Sequence, residues 1–265
     1  MLREHAVLAA SYDSQEQQHT PLCLSGTRAV ILTRILKWAG SSDESPICWL
    51  HGPGGTGKTT IAATLAKKFA SEGRLAGTFF FSRESALPGR WTTQNLVTTI
   101  AYQLAIAHPN VGRKIHRVIQ ADPTLFSKSL FVALGVFPKW LPMIVIIDGL
   151  DECDGKDSLE LIRILAGGKR DFSTSIRFFI TSRAEDHLQG KFRLYARRTQ
   201  FIDLMDFWAH DDIHMYLQDG FSVVLAENEG YMKGVEKPWP SASDLTALVE
   251  KSEGLFVYAS TLLKF

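Results

Sequence analysis

His51-Gly52-Pro53-Gly54-Gly55-Thr56-Gly57-Lys58-Thr59-Thr60 follows directly on the apolar run Ile47-Cys48-Trp49-Leu50. Four apolar residues that end at a glycine loop read as a buried parallel strand. Beyond the loop, Ile61, Leu65 and Phe69 recur four apart, which predicts a helix over about 58–71. Residues 52–59 match GxxxxGK[ST] at every fixed position. Glycines let such a backbone curl so that consecutive N–H groups point inward at phosphate oxygens, and the helix N-terminus adds its partial positive charge. Gly52, Pro53, Gly54, Gly55, Thr56, Gly57, Lys58, Thr59 and Thr60 are therefore the expected phosphate-binding segment. Lys58 would reach the β- and γ-phosphates as a point charge, and the Thr59 hydroxyl would ligate Mg²⁺. A plain glycine-rich turn is the alternative, and the strand–loop–helix context weighs against it.

A second element completes the reading. Met143-Ile144-Val145-Ile146-Ile147-Asp148 is a continuous apolar run after Pro142 that ends in an acid. A carboxylate at the end of a buried strand can hold magnesium beside the phosphate loop, so Asp148 is the second metal candidate. Asp151 and Glu152 follow at once. Glu152 is the better candidate to orient or activate an attacking water and Asp151 to support it, although the order could be reversed. Three carboxylates within five residues repel one another unless a cation sits nearby. Phe178-Phe179-Ile180-Thr181-Ser182-Arg183 ends another strand in a polar triplet. If that strand neighbours the glycine-loop strand, Arg183 or Ser182 could sense a γ-phosphate. His51 reads as a structural neighbour of the loop, not a base.

Further strands are expected at 77–81 and 200–204, and helices at 28–39 (capped by Ser25 or Thr27), 92–107, 111–120, 125–137 and 157–166. Strands alternating with helices predict an α/β fold, a P-loop-type parallel sheet covered by helices on both faces. After about 209 only helical patterns occur, with Asp211 and Asp212 placed to start the first of them. The expected organisation is a linker or upstream tail at 1–24, a nucleotide-binding core at 25–205 and a small all-helical domain at 206–265. The apolar pattern is still running at Phe265, as in a piece cut from something longer.

Composition narrows the partners. With 29 basic and 28 acidic residues the formal net charge is +1, which leaves no electrostatic footprint for nucleic acid or an anionic membrane. The basic stretch 187–198 reads as a solvated surface. Cys23, Cys48 and Cys153 show no metal-ligand or disulfide spacing, so reduced thiols and a cytoplasmic setting are expected. No apolar run approaches the roughly 18 residues of a membrane span. The six tryptophans show no repeat and are read as packing residues.

HGPGGTGKTT, FFFSR, IIDGLDEC and FFITSR, in that order, resemble the NACHT family of signal-transduction NTPases within the STAND group. CLSGTRAVILTRILKWA and SEGLFVYAS are similar to the fungal members of that NLR-like set. The resemblance implies a strand of 178–181 lying between the other two motif strands. It also implies a switch in innate-immunity or programmed-cell-death type signalling: ADP holds a closed monomer, and exchange for ATP permits self-association. Lys58, Asp151, Glu152 and Arg183 take the catalytic and sensing roles, with slow regulatory hydrolysis. An adenine-contacting proline is implied too, for which Pro238 and Pro240 are only neighbours in the right region. The family's winged-helix, repeat and effector regions have no counterpart in these residues. Two other functions remain open. A P-loop phosphotransferase or kinase would need an arginine-rich lid, for which 191–198 is the only candidate. A scaffold would keep nucleotide as a structural ligand that never turns over.

Overall fold

The computed structural model describes residues 2–41, 45–83, 89–121, 143–166 and 176–264. Among the described residues five strands form one all-parallel sheet: β1 (Ile47–His51), β2 (Leu75–Phe80), β3 (Met143–Asp148), β4 (Ile176–Ser182) and β5 (Thr199–Asp203). Their order is β2-β3-β4-β1-β5. The strand carrying 178–181 thus lies between the glycine-loop strand and the acid-ended strand. Register puts Leu50 opposite Thr181 on β4, and Ile147 on β3 opposite the neighbouring Ile180. The carboxyl ends of β1, β3 and β4 therefore emerge side by side, where open α/β sheets bind ligands.

Strand side chains alternate between two cores, as a period of two requires. Ile47, Trp49, Val145, Ile147, Phe178 and Ile180 face one layer. That layer is built by α4 (Thr93–Ala107), α5 (Pro109–Ala121), α6 (Gly155–Leu165) and α7 (Asp186–Leu194). Cys48, Leu50, Ile144, Ile146 and Phe179 face the other, against Ile31, Ile35 and Trp38 of α2 (Ala29–Gly40) and Ile61, Leu65 and Phe69 of α3 (Lys58–Ser71). Burial on both faces is why these strands read as unbroken apolar runs. A third, smaller core joins α8 (His210–Glu227), α9 (Ala242–Lys251) and α10 (Phe256–Leu262) through Ile213, Leu217, Leu245, Val249 and Ala259. A Cβ on Gly220 of α8 would lie 2.2 Å from Leu263 Cδ1, so that glycine permits the close approach of the chain after α10.

Several expectations need correction. Neither Ser25 nor Thr27 caps α2; its N-cap is Arg28, a left-handed residue at φ 54° with no side-chain cap. The Thr27 hydroxyl instead donates to Leu24 O at 2.7 Å. The stretch 187–198, read as a solvated surface, overlaps α7, whose Leu188 and Phe192 are fully buried. Two apolar residues four apart among basic neighbours were too short a pattern to show it. The N-terminal segment, which starts with α1 (Leu2–His5), and α4 cover the β2 edge. Tyr12 N donates to Thr78 Oγ1, the Gln103 side chain exchanges two hydrogen bonds with the Thr78 backbone, and Arg90 ties Glu16 to Phe80 O. An edge strand otherwise exposes unpaired N–H and C=O groups. The helix expected at 125–137 lies outside the described residues. Among the described residues no helix is long and apolar enough to cross a membrane.

Candidate functional site

Residues 52–57 leave β1 and curl into the first turn of α3. Gly55 and Gly57 hold φ of +78° and +91°, which side chains other than glycine rarely adopt. Gly55 has a second reason to lack a side chain: an added Cβ would lie 2.4 Å from Val257 Cγ1 on α10. Val257 N also donates to Gly55 O at 3.1 Å, so the helical tail rests directly on the loop. Thr56 closes the loop on itself, donating from Oγ1 to Pro53 O at 2.8 Å. Lys58, the first residue of α3, folds back over the curl and donates from Nζ to Gly52 O and Pro53 O, both at 2.7 Å.

The acids of β3 meet the loop at Thr59. Its Oγ1 donates to Asp148 Oδ2 at 2.8 Å. Asp148 Oδ1 accepts from Thr181 Oγ1 at 2.6 Å, and that hydroxyl in turn accepts from Gly149 N at 3.0 Å. Thr181 is the residue that sequence reasoning missed. It sits on β4, between β1 and β3, and only the strand order reveals that its hydroxyl meets the end of β3 at Asp148 and Gly149. Burial pushes the Asp148 carboxyl up, opposed by the hydrogen bonds from Thr181 and Thr59 and by the Lys58 charge. Burial pulls the Lys58 ammonium down, opposed by Asp151 and then Asp148. Removing the hydroxyl in Thr181→Val should therefore destabilise the fold by about 1–3 kcal/mol, because a buried carboxylate and an N–H both lose a partner. Urea unfolding against the wild-type chain measures it.

Asp151 and Glu152 turn in different directions on the short 3-10 turn after β3. Asp151 Oδ1 accepts from Arg183 N at 3.0 Å, and Oδ2 lies 3.4 Å from Arg183 Nε. Arg183 is otherwise largely exposed, with its guanidinium 4.0 Å from where a Cβ on Gly54 would stand. Glu152 Oε2 accepts from Arg83 N at 3.0 Å, while Arg83 Nε and Nη2 hold the Glu152 and Cys153 carbonyls. Ser182, offered beside Arg183 as a sensor, is fully buried. Its hydroxyl accepts from Trp49 Nε1 and donates to Arg183 O, both at 2.8 Å, which makes it a packing residue. His51 packs at a tilt against Trp49, ring centroids 4.3 Å apart, with Nδ1 3.7 Å from Asp203, and burial lowers its proton affinity.

Beside the loop opens a cavity of about 290 Å³. Gly55, Gly57, Lys58, Thr59 and Thr60 line one side, and Pro21–Leu24, Thr27, Arg28, Tyr216, Phe256, Val257 and Ser260 the rest. Pro21 lines this cavity and Pro238 and Pro240 do not. Neither the segment before α2 nor the tail helices carried a readable sign of this meeting, since it joins residues more than two hundred positions apart.

A parallel five-stranded sheet whose β1–loop–α3 unit carries GxxxxGKT, with an acid at the end of β3, defines a P-loop-type α/β protein. A family model described as Nephrocystin 3, N-terminal matches residues 26–183, more than half of the chain, and the chain belongs to that family. The matched span runs from just before α2 through both motif strands to Arg183. No curated protein matches the chain.

Proposed function

We propose that the chain is the nucleotide-binding module of a signalling NTPase of the NACHT type within the STAND group. It binds ATP or ADP with Mg²⁺ and hydrolyses ATP slowly to reset a switch. The observation that carries this reading is the 2.8 Å contact of Thr59 with Asp148, which brings the phosphate loop and the acid cluster to one point. Magnesium takes few protein ligands and keeps waters and phosphate oxygens. Among the described residues no three His, Cys, Asp or Glu side chains form a metal-sized group. Thr59 and Asp148 offer the two hard oxygens that a phosphate-bound magnesium would use. A buried carboxylate and a half-buried ammonium, each held against its preference for water, are jointly satisfied by a cation on one side and an anion on the other.

Within this reading Lys58 and the N–H groups of residues 52–60 bind phosphates, with Thr60 continuing the helix turn. Asp151 fixes Arg183, which would meet the terminal phosphate beside Gly54. Glu152 orients water; its carboxylate is fixed by a neutral N–H rather than claimed by a guanidinium. The phosphotransferase alternative has less support, because the basic stretch 191–198 is anchored through Phe192, stacked 4.2 Å from Trp49, and does not line the cavity. Binding and turnover separate the switch from a scaffold with a silent nucleotide. The nucleotide retained through purification, identified by chromatography after denaturation, is expected to be ADP. Purified protein that binds neither ADP nor ATP on titration would overturn the reading. Self-association in the ATP state is expected and is measured by light scattering with ADP against a non-hydrolysable ATP analogue.

A further inference from the structure

Arg28 is buried, with its side chain 4% exposed, yet its charge is incompletely matched. Nη2 donates to Thr56 O of the phosphate loop at 2.9 Å. Its backbone N donates to Asp212 Oδ2 on α8 at 3.0 Å, and that same oxygen lies 3.9 Å from Nε. The guanidinium stands 4.8 Å over the ring of Phe256 on α10. Nε and Nη1 are buried and have no hydrogen-bond partner. Arg177, the other deeply buried arginine next to α2, contrasts with it: its guanidinium donates to the Trp38 and Ser41 carbonyls. Arginine has five N–H donors, and leaving buried ones unspent costs free energy that a purely structural residue has no reason to incur. Arg28 also lines the cavity beside Lys58, Thr59 and Thr60.

We propose that Arg28 both binds the nucleotide and reports its presence to the helical tail: its unspent N–H groups are taken by oxygen acceptors of a bound nucleoside diphosphate, while Thr56, Asp212 and Phe256 hold the guanidinium between the phosphate loop and α8–α10. The proposal rests on the nucleotide-binding reading above. Its consequence is linkage, since a ligand that fixes Arg28 also favours the tail position that Asp212 and Phe256 define, and the tail returns the same coupling to the ligand. Asp212 is the informative partner, because it does not line the cavity and its hydrogen bond on that side is made to Arg28.

The test is calorimetric titration of ADP into the 265-residue chain carrying Arg28→Ala, Asp212→Asn, both together, Arg28→Lys, or Lys58→Ala. Arg28→Ala should weaken ADP about tenfold or more, the loss expected for charge-assisted hydrogen bonds. Asp212→Asn should weaken it about fivefold, and the double variant should be no weaker than Arg28→Ala alone. Arg28→Lys, which keeps charge without the planar fork, should recover only part of the loss. Unchanged ADP affinity in Arg28→Ala, with Lys58→Ala unable to bind, overturns the proposal and leaves the nucleotide reading standing. Additive losses in the double variant overturn the coupling to the tail. A wild-type chain that binds no ADP overturns both. Should Arg28→Ala fail to fold, the partly exposed Asp212 decides the coupling, and unchanged affinity in Asp212→Asn defeats it.

Discussion

Lys58→Ala is expected to abolish binding of ATP and ADP, with affinity falling about a hundredfold or more. Truncating one partner of a buried, hydrogen-bonded charge pair typically costs about 2–5 kcal/mol. Half-buried Lys58 would become such a partner against a bound polyphosphate: burial lowers its proton affinity, opposed by Asp151 and then Asp148. A polyphosphate would complete the compensation and lose its strongest point charge with the side chain. The fold should survive, because alanine is the best residue for a helix interior and Lys58 opens α3. The lost ties to Gly52 O and Pro53 O loosen only the curl. Titration with a fluorescent ADP analogue, with circular dichroism as the folding control, reads the result. Retained nucleotide affinity in a folded variant would refute the phosphate-loop assignment.

Glu152→Gln should have the second large effect, on turnover and not on binding. General-base assistance is typically worth about 10²–10⁴-fold, so ATP hydrolysis should fall by about that range while ADP affinity changes little. The amide keeps the shape and can still accept from Arg83 N, but it can no longer take a proton from water. Asp151→Asn is the matched comparison. Asp151 is held against Arg183 at both oxygens, so its loss should free the arginine and cut turnover less than the loss of Glu152. If Asp151→Asn is the more damaging change in a phosphate-release assay, the two acids exchange roles.

The core elements were legible because each obeyed one strong local rule. β3 was visible from six consecutive apolar or acidic residues after a proline, and all six are buried. α3 was visible from Ile61, Leu65 and Phe69, and its bounds match expectation because a glycine loop starts it. α7 was not visible: its buried side is only Leu188 and Phe192, and the surrounding charge concealed it. The α2 cap was misplaced because serine and threonine are good caps in general, while here the Gly26-Thr27-Arg28 turn carries Arg28 into the left-handed region to reach Thr56 and Asp212. Ser182 stood as an alternative to Arg183 for a similar reason, since a hydroxyl at a strand end looks available until the Trp49 indole is found on it.

Residues 52–59 and 143–152 by themselves determined the class of fold and singled out Lys58, Thr59 and Asp148, which meet at the glycine loop. Backbone curl, helix polarity and acid placement follow from nearest neighbours along the chain. Tertiary structure decided what those residues work against. Strand order set Asp148 between the Thr59 and Thr181 hydroxyls, and the packing around the turn steered Asp151 to Arg183 and Glu152 to Arg83. It also brought Arg28, Asp212, Phe256 and Val257 onto the loop from opposite ends of the chain. Contacts at such separation leave no periodicity behind, because they depend on how helices pack across a sheet and not on any spacing within them.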